Sequence, residues 1–168
     1  MLALLLAVVL PIDASKSVAH FSVTHLWVES VTGTVPVVRG SVTLNPGSAI
    51  PTSATAVLDA TKILTDTPDR DAALRSPDFF DTQQYPEWTF TSTKIVAHGE
   101  RAFSMDGMLT IHGVTQPEHL DVTLGGDPNH PAYHAVGKID RHAFGMKVTR
   151  LDPTIGGTAD VTLDVILQ

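Results

Sequence analysis

The chain of 168 residues has no cysteine. Disulfides, thiolate metal centres and a cysteine nucleophile are thereby excluded, whereas the redox compartment is left undecided. Positive charge is scarce: 11 lysines and arginines stand against 18 aspartates and glutamates, a net charge of −7, with no basic run. That balance argues against nucleic acid as a partner. There is no glycine-rich phosphate loop and no nucleophile elbow, nor an internal repeat, a low-complexity tract or a linker. Charged residues make up only 17% and apolar residues 43%, with a mean hydropathy of +0.12. Either the core is unusually apolar or some apolar surface faces a ligand. The length suits one domain that buries about 70% of its unfolded surface without a covalent staple.

Long apolar runs are also missing. The longest, Met1–Leu10 (MLALLLAVVL), falls well short of the roughly 20 residues that span a bilayer. It has the character of a secretory leader's apolar core, yet no basic region precedes it and no A-x-A site follows. A truncated leader, a first β-strand and a misassigned start all fit. The leader reading carries the expectation of a periplasmic or secreted protein. Residues 1–10 are accordingly set apart from a folded domain over 11–168.

What the sequence does have is alternation with a period of two. Ala19, Phe21 and Val23 alternate with polar residues, as do Val42 and Leu44, Trp88 and Phe90, Phe103 to Ile111, Leu120 to Leu124, and Val161 to Leu167. These are strands with one apolar face. Asn45-Pro46-Gly47, His98-Gly99-Glu100, Gly125-Gly126-Asp127-Pro128 and Gly156-Gly157 read as turns between them. Short connections with little helix favour an antiparallel sandwich or barrel over βαβ units. About eight such strands can close into a barrel that either fills or holds one small ligand. Ala19, Val23, Val35, Val42, Ala135 and Gly137 are modest inward residues that leave room. Helix is expected only near Thr24–Ser30 and at Asp69–Ser76, the latter capped by Asp69 or Asp71 and ended by Pro77.

One segment breaks the pattern. Asp69–Phe90 holds two arginines (Arg70, Arg75), four aspartates (Asp69, Asp71, Asp78, Asp81) and the aromatics Phe79, Phe80, Tyr85, Trp88 and Phe90. This block resembles the signature of the YceI family, bacterial lipocalin-like proteins that bind polyisoprenoid lipids. The resemblance runs along nearly the whole chain. It takes in Ile12-Asp13, the Ser17 to Leu26 strand with His25-Leu26, Val31-Thr32-Gly33 and Arg39-Gly40. In the centre it takes in Arg70-Asp71, Leu74-Arg75-Ser76, Asp78-Phe79-Phe80-Asp81 and Tyr85-Pro86. Further on come Gly107 to Pro117 (GMLTIHGVTQP), Ile139-Asp140-Arg141, Phe144-Gly145-Met146 and the closing strand Val161 to Leu167. The chain departs from the family pattern at Ala73, where histidine is frequent, at Trp27 for glycine, at Val35 for an aromatic, and at Lys62-Ile63-Leu64-Thr65 for S-I-D-T.

The resemblance implies an eight-stranded antiparallel lipocalin-like barrel with one or two short helices. It implies an apolar channel for a polyprenyl phosphate or an isoprenoid quinone, in a carrier, storage or scavenging role. The expected channel wall is Phe21, Val23, Val42, Leu44, Trp88, Phe90, Phe103, Met105, Leu109, Val122, Leu163 and Val165, which would otherwise simply pack one another. Met105 and Met108 suit an irregular ligand. Arg70, Arg75 and Arg141 would either grip a head group through their planar forks or pair with Asp69, Asp71 and Asp140 as a structural clasp. In the clasp reading Phe79 and Phe80 anchor the helical lid. His25, Arg70 and Arg141 are the candidate polar head-group contacts.

No catalytic residues and no cofactor or metal are expected. His130 and His134 have a metal-binding spacing only on a helix, and Pro131 with the preceding turn argues for a loop. His112 and His119 flank a turn across Pro117 and could face each other on paired strands. An enzyme acting on an amphiphile, with His25 or His112 as base, is the alternative; it lacks a partner constellation. A third reading is a module that docks on a membrane through Met1–Leu10. The expected partner is a long-chain lipid, with transient membrane contact and a homodimer both compatible.

Overall fold

The structure, a computed structural model, describes residues 6–127, 130–146 and 152–168. Nine strands make one antiparallel sheet: β1 Val8–Pro11, β2 Val18–His25, β3 Glu29–Leu44, β4 Pro51–Asp59, β5 Glu87–Ala97, β6 Ala102–Ile111, β7 Val114–Asp127, β8 His130–Asp140 and β9 Ile155–Ile166. β1 and β2 lie end to end between β3 and β9. β1 pairs with Ser41–Leu44 of β3 and Ile12 bridges to Leu167, while β2 pairs with both β3 and β9. Together they count as one interrupted strand. β3 then pairs with β4, which closes an eight-stranded barrel. Residues 1–5 of the apolar N-terminal segment lie outside the described residues.

β3 serves two neighbours by changing parity. Val35 and Val37 are buried; after an irregularity between Val37 and Arg39, Val42 and Leu44 are buried instead. An extra residue in one strand flips which side chains face inward and bends the strand. β3 therefore turns a barrel corner without losing its apolar face.

The long connection from β4 to β5 plugs one end. It carries a 3-10 turn, Ala60–Lys62, and the only α-helix among the described residues, α1 Pro68–Arg75. Proline at the first helical position has its φ preset and needs no amide partner. The cap is Thr67, and neither Asp69 nor Asp71 takes that role. Asp71 is 4% exposed and accepts from Thr65 N (2.7 Å) and Thr65 Oγ1 (2.6 Å). Arg75 Nη2 donates to Ile63 O at 2.7 Å. Phe80 packs on Trp88, ring centroids 4.7 Å apart, and Phe144, from the 3-10 turn Arg141–Phe144, is fully buried. Phe80 packs on the core, whereas Phe79 is not among its packed residues. At the other end Tyr133 Oη donates to Ala49 O at 2.8 Å. Burial raises the Tyr133 phenol to about 12, so it stays a donor and ties the β3–β4 loop across that mouth.

Three expectations are corrected. Thr24–Ser30 is a hairpin, with His25 paired to Glu29. Leu26 and Trp27 take left-handed conformations, φ 51° and 63°, and Trp27 is 78% exposed. Gly156-Gly157 lies within β9. Gly125 to Asp127 ends β7, and Pro128 is outside the described residues.

Candidate ligand cavity

The barrel interior encloses an almost wholly apolar cavity of about 130 Å³ at the centres of water-sized spheres. A single water needs only about 10–15 Å³ on that measure, so this is no packing defect. Its lining on β6 runs from Phe103 to Ile111, roughly 26 Å of strand at about 3.3 Å per residue.

Space inside is made by setting glycine opposite large residues. Phe21 pairs with Gly33, and a Cβ on Gly33 would come within 2.4 Å of Phe21 Cζ. Phe90 lies next to Leu109, one strand over, and its ring covers Gly107, where an added Cβ would meet Cζ at 2.2 Å. Each ring takes the place against its glycine that a side chain there would fill, and both line the cavity.

Of the expected wall residues, Phe21, Val42, Trp88, Phe90, Phe103, Met105, Leu109, Val122, Leu163 and Val165 line this cavity; Leu44 is buried elsewhere in the core, and Val23 is not in the lining. Met108 points outward and is 38% exposed. Ala19, Val35 and Ala135 line the cavity as well.

The polar candidates do not converge on it. His25 stands at the hairpin, 3.7 Å from the Glu29 carboxylate. Arg141 donates from Nε to Gly156 O at 2.8 Å and from Nη2 to Ile155 O at 3.1 Å, stapling its 3-10 turn to β9. Arg70 sits half-buried on α1. None of the three lines the cavity. The clasp at α1 is made, but Asp71 and Arg75 hold backbone and Thr65 instead of each other.

The histidines are likewise dispersed. His112 and Gly113 form the two-residue β6–β7 turn, both left-handed, with His112 edge-on to Tyr85 at 4.9 Å. Pro117 is inside β7, so His112 and His119 do not flank a turn; His119 instead hydrogen-bonds Asp106 across the strands at 2.6 Å. His130 and His134 lie on strand β8, about 13 Å apart at strand rise, too far to ligate one ion. Among the described residues no cluster of three metal-ligating side chains occurs.

One residue that the alternation passed over does face inward. Glu118 pairs with Gly107, on the same face as Gln116, Leu120 and Val122, and lines the cavity. Continuing the Leu120–Leu124 parity two residues back would have found it. It sits where the β7–β8 pairing ends at Leu120 and Gly137. Below that point, among the described residues, β7 pairs only with β6 and β8 only with β9, until Gln116 Nε2 reaches Ala143 O at 2.9 Å. The gap is a side window onto the cavity, rimmed by Glu118, His119, Lys138 and Ile139.

A family model described as a YceI-like domain matches residues 10–167. Protein YceI of Escherichia coli O157:H7 is 31% identical over 162 residues, covering 93% of this chain and 81% of that protein. Among solved structures, BcnA of Burkholderia cenocepacia superposes with a TM-score of 0.84 at 20% identity, covering 94% of this chain and 99% of its own. A polyisoprenoid binding domain from Saccharophagus degradans, implicated in plant cell wall breakdown, superposes with a TM-score of 0.71 at 16% identity, over 94% and 97% of the two chains. At these identities the two structures speak for the fold alone.

Proposed function

The chain belongs to the YceI-like domain family, and on that premise we propose that its barrel holds one long-chain isoprenoid lipid, as a carrier, store or scavenger, without chemically changing it. The observation that carries this reading is the continuous apolar cavity along β6, walled by Phe103, Met105, Leu109 and Ile111 on one strand and by Phe21, Leu163 and Trp88 on others. Each methylene moved from water into such a wall contributes about 0.8 kcal/mol. A polyprenyl chain therefore binds through length, with few polar contacts. The neighbour described as a polyisoprenoid binding domain supports the same ligand class.

The chemistry of the site supports binding over turnover. His25 and His112 do not line the cavity, and no nucleophile–base pair faces it among the described residues. The experiment is native mass spectrometry of the protein purified from a bacterial host, followed by organic extraction and identification of the bound molecule. A one-to-one complex with an isoprenoid lipid is expected. A homogeneous apo mass that stays apo after incubation with polyprenols and isoprenoid quinones would overturn the proposal.

A further inference from the structure

The geometry points to Glu118 as the residue that makes this cavity select an uncharged isoprenoid head group over an anionic one. This rests on the lipid-binding reading and narrows it.

Four observations converge. Glu118 is on the inward face of β7, in register with Gly107 of β6. It lines the cavity at the side window, where a lipid's polar end can sit beside water while its chain lies inside. It has no hydrogen-bond or ion-pair partner among the described residues, so a ligand atom has no protein group to displace. The two cations of the window rim are already engaged on the outer surface: His119 with Asp106 and Asp121, and Lys138 with Asp160. Burial, with a smaller contribution from the Asp140 charge, pushes the Glu118 carboxyl above its ordinary range.

The chemistry follows from that placement. A carboxylic acid donates a hydrogen bond to a quinone carbonyl, and a carboxylate accepts one from a polyprenol hydroxyl. Either form satisfies an uncharged head. Among the described residues of this rim a phosphate meets no free cation, and it faces a carboxylate across a partly desolvated gap. Two like charges a few ångströms apart in such a medium oppose binding by on the order of tenfold or more.

The test is a competition. Detergent-exchanged protein is offered an equimolar mixture of a long-chain polyprenol and its monophosphate of the same chain length, and the two complexes are counted by native mass spectrometry. For the unaltered protein the polyprenol complex should dominate by about tenfold or more. Glu118→Gln, which keeps the shape and removes the charge, should bring the ratio close to one by gaining phosphate. Glu29→Gln, an exposed acid away from the cavity, should leave the ratio unchanged and controls for overall charge. Thermal unfolding of each variant identifies loss of fold, and Glu118→Leu provides a second neutral side chain should the glutamine variant fold poorly. An unaltered ratio in both Glu118 variants, or no preference in the starting protein, overturns the role of Glu118 and leaves lipid binding standing. Uptake of neither lipid overturns the lipid-binding reading itself.

Discussion

The ring of Phe90 occupies the place that a side chain on Gly107 would take. A Cβ there would lie 2.2 Å from Phe90 Cζ and 2.7 Å from Thr91 O. The first conflict can be relieved by swinging the ring into the cavity, but the second is with backbone and must be met by strand movement. Gly107→Ala should therefore destabilise the protein by about 1–3 kcal/mol, the usual cost of overpacking. It should also reduce the lipid that co-purifies, because the displaced ring takes up lumen. Urea unfolding and lipid extraction of the same preparation measure both effects. A variant of unchanged stability and full lipid content would show that the ring does not define the wall.

The plug should be as sensitive as the wall. Asp71 is buried and receives both the amide and the hydroxyl of Thr65. Asp71→Ala strands two buried donors, at a cost of about 1–3 kcal/mol. Because these bonds fasten α1 to the β4–β5 connection, limited proteolysis should cut between Ile63 and Pro86 earlier than elsewhere. Cleavage first in the strands would contradict this placement.

The exterior predicts a pH effect of definite sign. The hydrogen bond that His119 Nδ1 donates to the Asp106 carboxylate, assisted by the charges of Asp106 and Asp121, raises the His119 imidazole above its ordinary value. A group whose folded pKa is raised stabilises the fold fully below the unfolded value, near 6.5, and loses that contribution as pH climbs through the folded pKa. Both side chains are about half exposed, so solvent screening limits the contribution to roughly 0.2–1 kcal/mol. Asp106→Asn should thus be less stable than the unaltered protein at about pH 5.5, with the gap closing as pH rises through the raised His119 value. A gap that widens with pH would reverse the assignment.

The two tryptophans report on different places. Trp27 is at the exposed hairpin and Trp88 lines the cavity beside Phe80. In Trp27→Phe, the remaining emission should be blue-shifted and quenched stoichiometrically by an isoprenoid quinone. Trp88→Phe should leave a red-shifted emission that the quinone does not quench beyond collisional levels. Equal quenching in both variants would move the ligand away from the barrel interior.

Much of this architecture could be read from alternation, because a barrel strand with one apolar face imposes a period of two that survives any register. The runs at Phe103–Ile111 and Val161–Leu167 are of this kind. Where the inward residues are small or polar the signal fades. β4 faces inward through Ala54, Ala56 and Leu58, and the lower part of β7 through Gln116 and Glu118. The first reads as weak amphipathicity and the second as a loop beside Pro117. The hairpin at Leu26–Val28 was obscured for the opposite reason. Its turn is made of apolar residues in left-handed backbone, with none of the glycine or asparagine that normally marks such a connection. The Arg–Asp pairs adjacent in sequence gave no sign that their partners would be carbonyls and a threonine, since those lie a loop away. The fastening by Arg75 to Ile63 O is legible only once the plug is folded back onto the barrel mouth.

The sheet order has a consequence for how the ring assembles. From β2 onward every strand pairs with its successor in sequence up to β9, and of these seven junctions all but β4–β5 and β8–β9 are short connections that form locally. The seam of β2 with β9, such as Val18 with Asp164 and Ala19 with Leu163, continued by the Ile12–Leu167 bridge, joins opposite ends of the chain. Closing that seam carries the largest loop entropy of the fold. Until it zips, the apolar lining is an open curved sheet that a lipid can approach along its full length. A ligand present during folding can then be captured broadside, and one arriving later must thread through whatever openings the finished ring retains.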